Sequence, residues 1–171
     1  MKSLRLILSM TLISLAPLAF AQSESKNSFE KLKSLSGSWE GRATADEPAF
    51  NADSMRVSLR VTSMGNALMH EMTSPGQPQD PISMLYLDGD RLLLTHYCDM
   101  GNRPRMEGKM SPDGKTVKFD FVDVAGDIIN HAHMHDVTFT LVDANRHTED
   151  WTFVLPGGKT VRARIDLQRA K

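Results

Sequence analysis

The chain has 171 residues, with 20 basic and 21 acidic side chains, a formal charge of −1 and 40% hydrophobic residues. That balance holds no basic excess to attract nucleic acid or an anionic membrane, so neither is expected as a partner. The single cysteine, Cys98, excludes an intrachain disulfide, and stability has to come from a packed core.

At the N-terminus, Lys2 and Arg5 precede an apolar run from Leu6 to Ala16, and Ala19-Phe20-Ala21 offers a small-x-small cleavage site before Gln22. This is the three-part layout of a secretory signal. The apolar run is too short for a membrane span, and no cysteine follows it to carry a lipid. Residues 1–21 are therefore expected to be a signal peptide. Residues 22–171 are expected to form one domain, exported to the periplasm or the exterior. Without Lys2 and Arg5, 18 basic residues face 21 acidic ones, a formal charge of −3.

The next element is a short helix. Phe29, Leu32 and Leu35 stand at i, i+3 and i+6, with Ser28 placed to cap its start. After it the period changes to two. Met55, Val57, Leu59 and Val61 alternate with Arg56, Ser58 and Arg60. Val117, Phe119 and Phe121 alternate with Lys118 and Asp120, and Val161, Ala163, Ile165 and Leu167 with Arg162, Arg164 and Asp166. Each run reads as a half-buried strand. In chain order, strands are expected at 39–45, 55–62, 67–73, 82–88, 91–98, 104–110, 116–123, 133–142, 147–154 and 160–169. Turn signals such as Met64-Gly65-Asn66, Asp88-Gly89-Asp90 and Pro156-Gly157-Gly158 separate them.

About ten short strands joined by turns make an all-β antiparallel meander. Closing it into a barrel removes the edges, a two-sheet sandwich being the alternative. Successive connections of a meander fall at alternate ends. The end holding the Asp88-Gly89-Asp90 turn is tightly stitched, and the opposite end carries mostly long loops rich in Pro, Gly and Asp, the tight turn at Pro156-Gly157-Gly158 being the exception. The short helix and Trp39 fall at the stitched end and are expected to plug it. A ligand pocket is expected at the loose one.

The stretch Leu35-Ser36-Gly37-Ser38-Trp39 resembles the Gly-x-Trp opening of the lipocalin or calycin barrels, and is similar to the start of nitrobindin-like and related bacterial barrels of unassigned function. The phrases Leu87 to Cys98, Gly101 to Met106 and Thr148 to Phe153 add to the likeness. The resemblance implies a binding barrel, with haem as one possible ligand. Nitrobindin-like proteins ligate haem through a histidine in the closing part of the barrel, whereas here the last strand has none.

The candidate site gathers at the loose end. His96 and Cys98 share the face of Leu92 and Leu94, which the Asp88-Gly89-Asp90 turn pairs with Leu85 and Leu87, so this face is expected inward. A one-residue slip would turn Tyr97 inward instead. His131, His133 and His135 share one face with Val137, Phe139 and Leu141. Arg103 and Arg105 leave from the same end, as does His70 or its neighbour Met72. The three alternating histidines could offer nitrogens to zinc or copper if a metal is bound. Residues two apart on a strand stand roughly 6.6 Å apart, however, so two at most reach one ion. Glu149 and Asp150 are expected near the stitched end, away from the histidines, and no nucleophile motif is present.

The expected function is thus a binding barrel rather than an enzyme. It would hold a small apolar or amphipathic molecule, with His96, His133, His135 and Arg105 at the ligand's polar end and Cys98, His70 and Tyr97 beside them. A haem- or metal-dependent barrel protein is the alternative, and a fully packed interaction module a third.

Overall fold

A computed structural model describes residues 16–171, with side chains from residue 24 onward. The apolar run of the expected signal peptide therefore lies mostly outside the described residues. One helix, α1 (Ala16–Lys33), precedes ten strands. These are β1 (Gly37–Ala45), β2 (Ala52–Thr62), β3 (Ala67–Thr73), β4 (Ile82–Asp88), β5 (Arg91–Tyr97), β6 (Arg103–Met110), β7 (Thr116–Ala125), β8 (His133–Asp143), β9 (Arg146–Val154) and β10 (Thr160–Arg169). Each pairs antiparallel with its sequence neighbours, and β1 pairs with β10 to close the barrel. Closure pairs every strand on both sides over at least part of its length, which removes the long free edges of an open sheet.

Alternation drives this arrangement. Along β10, Val161, Ala163, Ile165 and Leu167 are buried while Arg162, Arg164, Asp166 and Gln168 are exposed. The closing seam runs from Trp39 opposite Arg169 to Ala45 opposite Ala163. Gly41 lies within it, and a Cβ there would stand 1.9 Å from the Asp166 carbonyl oxygen. Only glycine lets β1 and β10 approach so closely.

The helix is longer than the sequence reading expects. Ser28 is not its cap but lies inside it, where its hydroxyl donates back to the Glu24 carbonyl at 2.7 Å. The segment before Ser28 has neither Gly nor an internal Pro beyond its first turn, so nothing stops the helix from starting earlier. Phe29, Leu32 and Leu35 do enter the core. The Trp39 indole N–H donates to the Leu35 carbonyl at 2.8 Å. Arg169 lies over the Trp39 ring at 4.2 Å and donates to the Ser36 carbonyl. Helix, tryptophan and arginine together floor the stitched end.

Inside, Trp39, Trp151, Phe119, Phe139, Leu85, Leu92, Leu94 and Met106 are almost wholly buried. Leu85, Leu92, Leu94 and His96 face inward as the turn pairing predicts. The inward run of three histidines does not form. A register shift between Met134 and Asp136 gives β8 an extra residue there, so Met134, opposite Phe153, takes the inward place.

Candidate functional site

Three adjacent strands set one row of polar side chains across the inner wall. His70 on β3 stands opposite Ser83 on β4, and Ser83 opposite His96 on β5. All three are buried. Ser83 Oγ and His96 Nδ1 are 2.9 Å apart. On the facing wall, β9 turns His147, Glu149 and Trp151 inward, all buried.

Glu149 joins the two walls. His70 Nε2 lies 3.0 Å from both carboxylate oxygens, His147 Nε2 3.0 Å from Oε1, and the Trp151 indole N–H donates to Oε2 at 3.0 Å. This corrects the expectation that Glu149 stands apart from the histidines. His70 and Glu149 are each the fourth residue of their strand counted from the stitched end, so they share a level, and a narrow barrel brings opposite walls into contact. His70 is thus an interior residue and not a rim residue. His147 is nearer the floor, its ring edge-on to Trp39 at 4.2 Å.

Electrostatics keep this cluster ionised in one part and neutral in another. Burial pushes the Glu149 carboxyl up. The charge of His70 and the hydrogen bonds from His147 and His70 outweigh it, and the carboxyl is held below its ordinary 4.5. Burial, with the nearby charge of His70 second, lowers the His96 imidazole from 6.5 to about 3, so this ring is neutral. Among the described residues, three ring nitrogens of this cluster have no partner, His70 Nδ1, His96 Nε2 and His147 Nδ1, and outside it neither has His133 Nδ1. Buried polar atoms are rarely left unpaired, because each costs about 1–3 kcal/mol.

The other expected site residues lie higher or outside. Strand β5 ends at Tyr97, which is exposed, and Cys98 turns away into the following loop. Its backbone N–H donates to the Asn102 carbonyl at 3.1 Å, and burial pushes its thiol upward in pKa. Arg105 is on the outer face, its Nε donating to Asp123 at 2.8 Å. Asp123 holds the Arg105 guanidinium protonated even more firmly than usual. His131 is exposed, His133 is buried and His135 half-buried. The His135 ring stacks on Phe121, with centroids 5.0 Å apart and planes 2° from parallel. Among the described residues, no three His, Cys, Asp or Glu side chains are grouped to hold a metal ion.

Strands β7 and β8 pair only from Thr116 to Phe119 against Val137 to Thr140. Above that level they separate, and Phe121, His133 and His135 occupy the gap. Among the described residues, most of the large exposed apolar side chains also lie at this end: Phe50, Tyr97, Met100, Val122, Ile128 and Ile129. Two clefts, of about 350 and 570 Å³, lie elsewhere. One is beside the floor near Lys31, Lys115 and Arg169, and the other is on the outer face near Asp136, Asp150 and Arg162.

The chain is similar in structure to several solved proteins. A protein of unknown function from the DUF3598 family of Nostoc punctiforme matches with a TM-score of 0.58 at 14% identity, over 81% of this chain and 48% of that one. The present chain thus spans about half that neighbour's length. Rv2717c from M. tuberculosis matches with a TM-score of 0.60 at 16% identity, over 84% of this chain and 98% of its own. An S-type phycobiliprotein lyase from Guillardia theta matches with a TM-score of 0.54 at 15% identity, over 89% of this chain and 98% of its own. The shared feature is a closed antiparallel barrel. At these identities the likeness is one of fold. No protein-family model matches the sequence, and no curated relative matches significantly.

A haem does not fit this interior. Strand β10 carries no histidine, and the level of His96 is occupied by Trp151, whose ring centroid lies 5.7 Å from that of His96. The opposite rings of Phe119 and Phe139 fill the space beneath.

Proposed function

We propose that the protein is an exported small-molecule-binding barrel that takes a mainly apolar, amphipathic ligand at its open end. The observation that carries this reading is the concentration of exposed apolar side chains on the rim where β7 and β8 separate. Scattered apolar surface residues are ordinary, but a set gathered on one end of a barrel marks a place of contact. Beneath the rim, Phe50 packs on Phe153 at 5.6 Å, and Met134 and Phe153 continue the apolar surface inward. His133 and His135 supply polar contacts at the gap. The phycobiliprotein lyase among the structural neighbours supports a small-molecule partner for a barrel of this shape.

Export rests on the N-terminal pattern. Cleavage before Gln22 would cut α1 but keep the described side chains by which the helix holds the barrel. Ser25 bonds to the Asp90 carbonyl, and Phe29 and Leu32 sit in the core. The mature mass is expected to begin at Gln22. Among the described residues, no helix is long and apolar enough to cross a membrane.

Two charged substitutions at the rim, Phe50→Asp with Ile129→Asp, test the binding reading because both side chains are exposed. The wild-type protein is expected to enhance the fluorescence of anilinonaphthalene sulfonate, and the double variant to lose most of that signal while keeping its melting temperature. Equal uptake by the two proteins would overturn the rim as the site.

A further inference from the structure

The buried row His70–Ser83–His96 has no role in a rim site, yet it carries two of the unpaired ring nitrogens, His70 Nδ1 and His96 Nε2. Both rings lie 5.7 Å, centroid to centroid, from Trp151, so they flank one indole at one level of the barrel. Between this level and the open end the inward side chains are apolar: Met72 on β3, Met134 on β8 and Phe153 on β9. Methionine is unbranched and adapts to a guest more readily than other core residues. Polar groups beneath packed but adaptable methionines suit an amphiphile inserted head first, with Met72 and Met134 moving aside to admit its chain.

The charge of the cluster selects the head. Glu149 is a buried carboxylate that accepts hydrogen bonds from the Nε2 of His70 and of His147. An anionic head beside His70 would face that carboxylate and be repelled by it. A cationic head would find the same carboxylate already taken up by His70, His147 and Trp151, and would have to be stripped of water. An uncharged head meets neither obstacle. The Ser83–His96 pair also suits such a head by its chemistry. If the Ser83 hydroxyl donates to Nδ1, Nε2 bears the proton and donates. If Nδ1 bears it and donates to Ser83 Oγ, Nε2 accepts. One hydroxyl rotation and a change of tautomer thus fit the pair to a donor or an acceptor.

We propose that His70, Ser83 and His96 form an internal binding site for the uncharged hydroxyl or carbonyl head of an amphiphile whose chain runs past Met72 and Met134 to the rim. The inference rests on the binding reading above and adds the ligand's orientation and head chemistry.

The test titrates the full protein with dodecanol, dodecanoate and dodecylammonium below their micelle-forming concentrations, following tryptophan fluorescence and calorimetric heat. Dodecanol is expected to bind most tightly and to change the emission of Trp151, which is adjacent to both rings. Ser83→Ala and His96→Asn are each expected to weaken dodecanol roughly tenfold, the loss of about one hydrogen bond. Neither should alter the anilinonaphthalene sulfonate signal of the rim. Circular dichroism identifies any variant that fails to fold, and the serine change, which removes one oxygen, serves if the histidine change unfolds the barrel. Binding of all three amphiphiles with equal strength, or unchanged dodecanol affinity in the folded variants, overturns the internal site while leaving the rim reading intact. No binding of any amphiphile or of the dye overturns both.

Discussion

At the scale of single residues, the interior of this barrel depends on protonation. His96 remains neutral in the folded protein down to about 3, whereas an exposed histidine takes up a proton near 6.5. As pH falls between those values, the unfolded chain binds a proton that the barrel refuses, so His96 contributes stability above 6.5 and loses it progressively below. Glu149 acts in the same direction. Its carboxyl is held below 4.5, so its contribution is present above that value and is lost as pH falls further. His96→Asn keeps a polar atom near Ser83 but removes the titration. The variant is expected to show a shallower decline of unfolding free energy with falling pH, by up to about 1.4 kcal/mol per pH unit in the interval between the two His96 values. Urea unfolding across that interval measures the slope. A slope equal to that of the wild type would mean that the ring is already free to protonate in the barrel.

At the scale of elements, the seams between strands decide what the barrel tolerates. Gly41 sits where β1 and β10 close the cylinder, and any side chain there meets the Asp166 carbonyl. Backbone cannot move aside as a flexible side chain can. Gly41→Ala is therefore expected to cost about 3 kcal/mol or more, read as a lower midpoint in thermal or urea unfolding. An unchanged midpoint would show that the seam can shift its register. The strands themselves were legible in the sequence because one face of each is wet and the other dry, as in β10, where every second residue is buried. The helix start was not, since α1 continues through Ser28 without a stop signal. The histidine run of β8 misled because a bulge changes parity at one residue, and a period-two pattern carries no mark of it. The Glu149 cluster was missed for a different reason. His70 comes from β3 and its partners His147 and Glu149 from β9, far away in sequence, and only the narrow bore of the closed sheet places them together.

At the scale of the whole molecule, the barrel is built unevenly along its axis. The floor is fixed by α1, Trp39 and Arg169, with Arg169 bonded to the Ser36 and Ala144 carbonyls. At the other end, the β7–β8 ladder stops at Phe119 and Val137, so the upper halves of both strands are held from one side only, by β6 and β9. Backbone hydrogen bonds next to an unpaired edge open with less free energy than those inside a continuous sheet, because fewer neighbours must separate. Admission of a chain-like guest needs such a place, since the interior below is filled and closed sheets do not part in the middle. Amides of 120–125 and 133–136 are therefore expected to exchange with deuterium faster than those of β1, β9 and β10. Saturating dodecanol is expected to slow them selectively, since a chain lodged beside Met134 would hold the gap shut. Uniform protection around the barrel in the free protein would remove the proposed entrance, and slowing confined to the floor would place the guest at the wrong end.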